Sequence, residues 1–232
     1  MKQLHVSKLK SGSGDTRSRL IEAATAVFAE RGYQTATTRE ICVRARANAA
    51  AVNYHFGDKL GLYKAALKSL IGRQEARLEE RTLSAMPAER ALRRFIQAMF
   101  ENLNDRDGED RYTRLMVHEL SEPTPGLALV VDQIIAPRAR LLSAIVARLT
   151  SDSARSLRTR LAAHSIMAQV VHYMHARPVI KILWPGWRMT PAARRQIIDH
   201  VIDFSLAGLR AGAGAQRRQR VNRGATSRGR RK

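Results

Sequence analysis

An all-α fold is what this 232-residue chain predicts, and three observations predict it. Apolar residues recur at three- and four-residue intervals, as one buried face of a helix requires. Hydroxyl or carboxylate residues stand before these runs, and glycine or proline stands after them, which is how helices start and stop. No alternation of apolar and polar residues reaches strand length, although "VIKILW" at 179–184 is apolar and β-branched enough to be extended.

The elements follow in order. Residues 1–14 form a basic arm, expected to be disordered, in which "SGSG" is a flexible hinge. From Asp15 a first helix sets Leu20, Ala24, Val27 and Phe28 on one face and stops at Gly32. "TTRE" then fits a capping box: the Thr37 hydroxyl accepts from the Glu40 amide, and the Glu40 carboxylate reaches back to the Thr37 amide. The short second helix carries Ile41 and Ala45 inward. After a turn over 46–48, a third helix carries Val52 and Phe56 inward. Gly57 and Asp58 turn the chain, with Asp58 as N-cap of a long helix striped by Leu62, Tyr63, Ala66, Leu67 and Leu70.

Further helices are expected near 87–104, 109–120, 125–150, 154–176 and 191–211. Thr190 and Pro191 make a clean start for the last, and Pro137 should bend the one that contains it. The domain reading is an arm over 1–14, a three-helix unit over 15–62, a helical domain over 63–211 and a disordered arginine-rich tail over 212–232.

Charge bears on partners. The formal net charge is +21, of which the tail and the lysines of the arm supply about half, leaving about +10 for the body. An anionic partner follows. The tail cannot build a core, and its expected use is sequence-independent, salt-dependent attraction to a polyanion such as DNA. A single cysteine, Cys42, excludes an internal disulfide and suits a reducing compartment. No apolar run approaches a membrane span, and the N-terminus lacks the apolar centre of a signal peptide, so a cytoplasmic, nucleoid-associated protein without membrane contact is expected.

Helix, tight turn, helix is the outline of a DNA-reading unit. Ala49, Ala50 and Ala51 keep the third helix slender enough for a groove, and Asn53, Tyr54 and His55 can bond to phosphates or base edges. The start of the second helix, with Thr37, Thr38 and Arg39, favours a phosphate. Lys59 is unfavourable in the first turn of its helix unless an anion such as a DNA phosphate lies there. Arg44 is a further cation that would add to phosphate binding.

These residues carry a resemblance. Residues 16–64 resemble the N-terminal domain of the TetR family of transcriptional repressors, whose second and third helices run Thr, Ile-Ala, Ala-Gly-Val-Ser, an aliphatic, Tyr, Tyr or His, and Phe. Here those places read Thr37 or Thr38, Ile41-Cys42, Ala45-Arg46-Ala47-Asn48, Val52, Asn53, Tyr54-His55 and Phe56, with Lys59 at the family's lysine. Two positions depart: Arg46 stands where glycine is usual, and Asn53 where many members have tyrosine. The first implies backbone strain or a compensating phosphate contact, the second a change in the sequence read. "HELSEPTPGLALVVDQIIAPRARLLSAIVARL" and "ILWPGW" resemble the CecR-type C-terminal regulatory domain.

The resemblance implies a homodimer on double-stranded DNA, with Thr37, Thr38, Arg39, Arg46, Asn48, Ala49, Ala50, Asn53, Tyr54, His55 and Lys59 at the DNA. The last helix is apolar nearly all round, as a helix buried by a twin would be, and Ile197, Ile198, Val201, Ile202 and Leu206 are the expected dimer contacts. The family also implies a cavity for a small-molecule effector, for which Met99, Phe100, Met116, Met167, Gln169, His172 and Trp184 are candidates. Binding there would favour a state unable to grip a palindromic operator. The alternative is an effector-independent architectural DNA-binding protein. His172 and His175 could share a helix face, with His164 two turns away, but no set of metal ligands, cofactor motif or catalytic constellation is legible.

Overall fold

The computed structural model describes the backbone of residues 3–72, 80–101 and 111–228; of these, the side chains of 3–14, 72, 174, 177 and 213–228 lie outside the description. Among the described residues every regular element is helical and none is a strand. The helices are α1 (Gln3–Thr35), α2 (Thr38–Ala45), α3 (Ala49–Phe56), α4 (Lys59–Gly72), α5 (Glu80–Ala85), α6 (Ala88–Glu101), α7 (Arg111–Ser121) and α8 (Leu127–Val130). A π-helical turn (Val131–Ile135) leads into α9 (Ala136–Thr150), followed by α10 (Leu157–His175), α11 (Arg177–Leu183) and α12 (Pro191–Arg228). No described helix is long and apolar enough to cross a membrane.

The chain divides into two compact units, the first made of Met1–Ala76 with Asn104–Ala136 and the second of Arg77–Leu103 with Pro137–Lys232. In the first, α1 presents Leu20, Ala24, Val27 and Phe28 to a core shared with Ile41, Val52, Leu62, Leu67 and Leu115. Gly32 interrupts α1 at φ 73°, ψ 170°, a conformation that a side chain would strain. Phe28 and Tyr33 both meet the Tyr63 ring at 4.9 Å.

A boundary drawn at 62/63 divides the sequence differently from the packing, because α7 and the loop after it join α1 and α4. The cause is polar as well as apolar. Glu119 on α7 is fully buried and accepts from the Tyr63 hydroxyl at 2.5 Å, from the Thr124 amide at 2.9 Å and from the Thr124 hydroxyl at 3.0 Å. Gly126 closes this loop where a Cβ would meet Leu67 and Tyr63 carbons at 2.8 Å, so only glycine fits.

In the second unit, α6 buries Leu92, Phe95 and Ile96 against Leu142 and Ile145 of α9, Ile166 and Val170 of α10 and one whole side of α12. Arg148 donates to the carbonyl oxygens of Leu83 and Met86, fixing the end of α5. Thr190 caps α12, its hydroxyl accepting from the Ala193 amide at 3.1 Å, in agreement with the Thr-Pro start.

Two segments differ from the sequence expectation. "VIKILW" is mostly helix, not extended strand: Pro178 presets the first turn of α11, and Ile180 and Trp184 amides bond back to the carbonyls of Ala176 and Ile180. The bend expected at Pro137 is a π-helical turn just before it. The Ala136 amide reaches Val131, five residues back, and proline has no amide to restore the tighter register. The described backbone of α1 begins at Gln3, within the arm, and that of α12 runs to Arg228, within the tail; residues 1–2 and 229–232 lie outside the described residues. Low apolar content excludes a core, yet a helix already started extends at little cost per residue.

Candidate nucleic-acid interface

The helix–turn–helix is built from local hydrogen bonds that the sequence dictates. Thr37 is extended (φ −112°, ψ 145°), and its hydroxyl accepts from the Glu40 amide at 3.2 Å. The Glu40 carboxylate, expected to reach back to Thr37, is held by Arg31 at 2.8 Å, which ties α2 to the end of α1. Arg46 ends α2 in the left-handed region (φ 50°, ψ 48°). Its amide bonds to Val43 at 3.2 Å and that of Ala47 to Cys42 at 3.0 Å, the paired bonds of a Schellman cap. Asn48 then caps α3 through its side-chain oxygen and the Ala51 amide at 2.9 Å. The buried Cys42 thiol donates to the Asn48 carbonyl at 3.6 Å, and its burial pushes the thiol pKa up.

Arg46 therefore occupies the glycine position in the strained conformation. An ordinary side chain in that region costs on the order of 1 kcal/mol. Arg46→Gly is expected to raise the urea midpoint by the equivalent of about 1 kcal/mol; an unchanged or lowered midpoint would mean that the arginine side chain stabilises the fold. The same guanidinium joins Arg19, Arg44 and Arg111 in an open cleft of about 390 Å³.

On α3, Val52 alone is fully buried. Ala49, Ala50, Asn53 and Tyr54 are exposed, and their spacing places them on one contiguous face. Tyr54 is 82% exposed, so it does not cap the core. His55 is half-buried at the edge of this face, its ring 4.9 Å from that of Tyr54. Phe56 is half-buried beneath the Arg17 guanidinium at 5.5 Å. At the start of α2, Thr37 and Arg39 are exposed and Thr38 is half-buried.

Two cations are placed otherwise than expected. Lys59 donates to the Gln34 carbonyl at 3.2 Å and lies over the Tyr33 ring at 4.6 Å. Partial burial lowers its pKa. An internal acceptor and a ring thus account for a lysine at a helix N-terminus, while Asp58 caps that helix by accepting from the Gly61 amide at 2.6 Å. Arg44 is engaged by both carboxylate oxygens of Glu30 at 2.9 Å, which directs it toward α1. Neither partner was legible in the sequence, because each lies in a different element.

The other candidates scatter. Met116 belongs to the core of the first unit, whereas Met99 and Phe100 are buried in the core of the second and Met167 is half-buried against it. His172 is exposed, and Trp184 is 48% exposed with its ring 5.8 Å from Trp187. Gln169 lines a cleft between α9, α10 and α12. The five residues expected at a twin are inside the protomer: Ile197, Ile198, Val201, Ile202 and Leu206 pack against α6, α9 and α10. Among the described residues, the large apolar side chains that α10 and α12 leave exposed are Leu157 at 70%, Leu161 at 58% and Phe204 at 62%. Among the described residues no three His, Cys, Asp or Glu side chains gather to hold a metal.

Known proteins agree with this geometry. Residues 20–66 match the family model described as bacterial regulatory proteins, tetR family, and residues 88–209 match the C-terminal domain of the HTH-type transcriptional dual regulator CecR. The HTH-type transcriptional dual regulator CecR of Shigella flexneri is 30% identical over 207 residues, spanning 83% of this chain and 92% of that protein. An HTH-type transcriptional repressor of Mycobacterium tuberculosis is 31% identical over 150 residues, 65% of this chain and 73% of the relative. A solved structure of a transcriptional regulator from Pseudomonas aeruginosa PAO1 is similar at a TM-score of 0.63 and 23% identity, covering 86% of this chain and 92% of that one. That last likeness bears on the fold alone.

Proposed function

The chain belongs to the TetR family of transcriptional regulators, with a CecR-type C-terminal domain, and from this premise we propose that it is a homodimeric repressor released from a palindromic operator by a small-molecule effector. One observation carries the DNA-reading part: α3 leaves Ala49, Ala50, Asn53 and Tyr54 exposed on a single face, with no side chain bulky enough at its first turn to hold it out of a groove. The caps at Thr37 and Asn48 fix both helices without help from DNA, so the face is formed in advance.

Within that face the roles divide by chemistry. Asn53 pairs with an adenine edge, and the Tyr54 hydroxyl donates to a phosphate. The amides at the start of α2 take another phosphate beside Thr37 and Arg39. Two protomers joined through α10 and α12 set two α3 helices about 34 Å apart, one turn of DNA, to read two half-sites. The exposed Leu157, Leu161 and Phe204 support this pairing.

The test is selection of random duplex DNA on the purified protein, followed by titration of the winning site. A preference for a palindrome of at least about 10³ over random duplex at fixed salt is expected. Little preference would favour the architectural alternative. Asn53→Ala should change the ranking at one or two base pairs, each worth about 1–3 kcal/mol, while Tyr54→Phe should weaken all sequences alike. Equal losses on every sequence from both substitutions would contradict this division.

A further inference from the structure

We propose that α11 completes the twin interface: its apolar face, with Trp184 just after it, is covered by the second copy of this chain. The proposal rests on the homodimeric reading above and extends the contact beyond α10 and α12. On this segment Val179 is 53% exposed, Ile182 78%, Leu183 66% and Trp184 48%. A contiguous apolar patch marks an interaction site, whereas apolar residues scattered singly do not. The patch is held from behind. Ile180 is buried, Trp187 packs against the core of the second unit, and the Trp184 ring meets that of Trp187 edge-on at 5.8 Å.

What covers the patch follows from area. A stable homodimer buries about 800 Å² on each partner, of which roughly 500 Å² is apolar. Counting about 100–200 Å² for a large apolar side chain when fully exposed, Leu157, Leu161 and Phe204 together offer roughly 200–400 Å². That falls short. Val179, Ile182, Leu183 and Trp184 add roughly 250–500 Å² on the same count, and the two patches together reach what a two-fold pair requires.

The exposed face of α10 also leads there. A helical repeat exposes Leu161, Ser165, Ala168 and His172, passes the half-buried His175 and next reaches Val179 and Leu183. Ala176 stands between the two helices, and its ψ of 13° bends the chain. Even so, its amide donates to the His172 carbonyl and its carbonyl accepts from the Ile180 amide, each at 2.8 Å, so the hydrogen-bond ladder runs on from α10 into α11. Along the middle of the twin face the exposed residues are small: Ser165 and Ala168 on α10, Ala207 and Gly208 on α12. Small side chains let helices of two protomers approach closely, which brings the large ones of α11 within reach of the partner.

Trp184 and Trp187 are the two tryptophans of the chain, so indole emission reads this segment directly. In the full-length wild type, and in Trp187→Phe where Trp184 is the single reporter, emission should move to shorter wavelength as protein concentration rises through the dimerisation range fixed by sedimentation. Adding Leu161→Asp and Phe204→Asp should hold it at the long-wavelength limit. Ile182→Asp with Leu183→Asp changes two exposed positions and should keep the helical circular dichroism of the wild type. The dimer dissociation constant of that chain should rise at least about 100-fold. A dimer whose Trp184 emission is independent of concentration, or an unchanged dissociation constant in the Ile182→Asp, Leu183→Asp chain, overturns the proposal and leaves the homodimeric reading standing. A wild-type chain that stays monomeric overturns both. An emission shift produced by vesicles of anionic phospholipid and not by self-association assigns the face to a membrane surface, and it too overturns the proposal.

Discussion

A chain carrying Leu161→Asp and Phe204→Asp together is expected to be monomeric and to lose operator affinity by about 10²–10⁴-fold, because the second half-site no longer benefits from the first. Leu161 and Phe204 are 58% and 62% exposed on α10 and α12, while the neighbouring apolar residues of both helices already face the protomer's own core. Burying such a side chain contributes about 1.5–3 kcal/mol, and a two-fold axis counts each one twice. Aspartate removes that gain and sets carboxylates of like charge across the axis. The control is Ile202→Ala, a fully buried residue of the same helix. It should cost about 2–5 kcal/mol of stability and leave the folded protein dimeric. Sedimentation at micromolar protein decides between them: a dimeric double-aspartate chain would place the interface elsewhere.

That pair of variants also marks where sequence legibility ended. Local chemistry was legible: Thr37, Asp58 and Thr190 cap the helices they were expected to cap, and Gly32 interrupts α1 where a stop was read. Each of these depends on residues within four positions. The face of α12 was not legible. A helix apolar nearly all round states that it is buried without stating by what, so Ile197 to Leu206 fitted a twin as well as they fit α6. The internal partner of Lys59 was hidden for a related reason. Its carbonyl acceptor at Gln34 is 25 residues away and offers no side-chain signal. The candidate DNA face fared better, since periodicity alone puts Ala49, Ala50, Asn53 and Tyr54 on the side opposite Val52.

Glu119 entered the sequence reading only as one letter of a resembling stretch, with no role, and Glu119→Ala is expected to be the most damaging single substitution in the first unit. The carboxyl is fully buried and receives the Tyr63 hydroxyl, the Thr124 amide and the Thr124 hydroxyl. Burial first, and then the hydrogen bond to Glu119, push the Tyr63 phenol far above its ordinary range, so it stays a donor at every working pH. Alanine strands the Tyr63 hydroxyl and the Thr124 amide, at about 1–3 kcal/mol each, and leaves a cavity. A loss of about 3–5 kcal/mol follows, or roughly 10 °C in Tm for a chain of this size. Operator binding should weaken as well, because the loop that Glu119 organises packs on α4, and α4 carries the Lys59 that holds Gln34. Tyr63→Phe removes one donor and should cost about 1–2 kcal/mol. Since the two residues share a bond, the double variant should be less damaging than the summed singles by about 1 kcal/mol or more. Additivity within about 0.3 kcal/mol in urea unfolding would show that the Tyr63–Glu119 bond contributes nothing to joining α4 and α7.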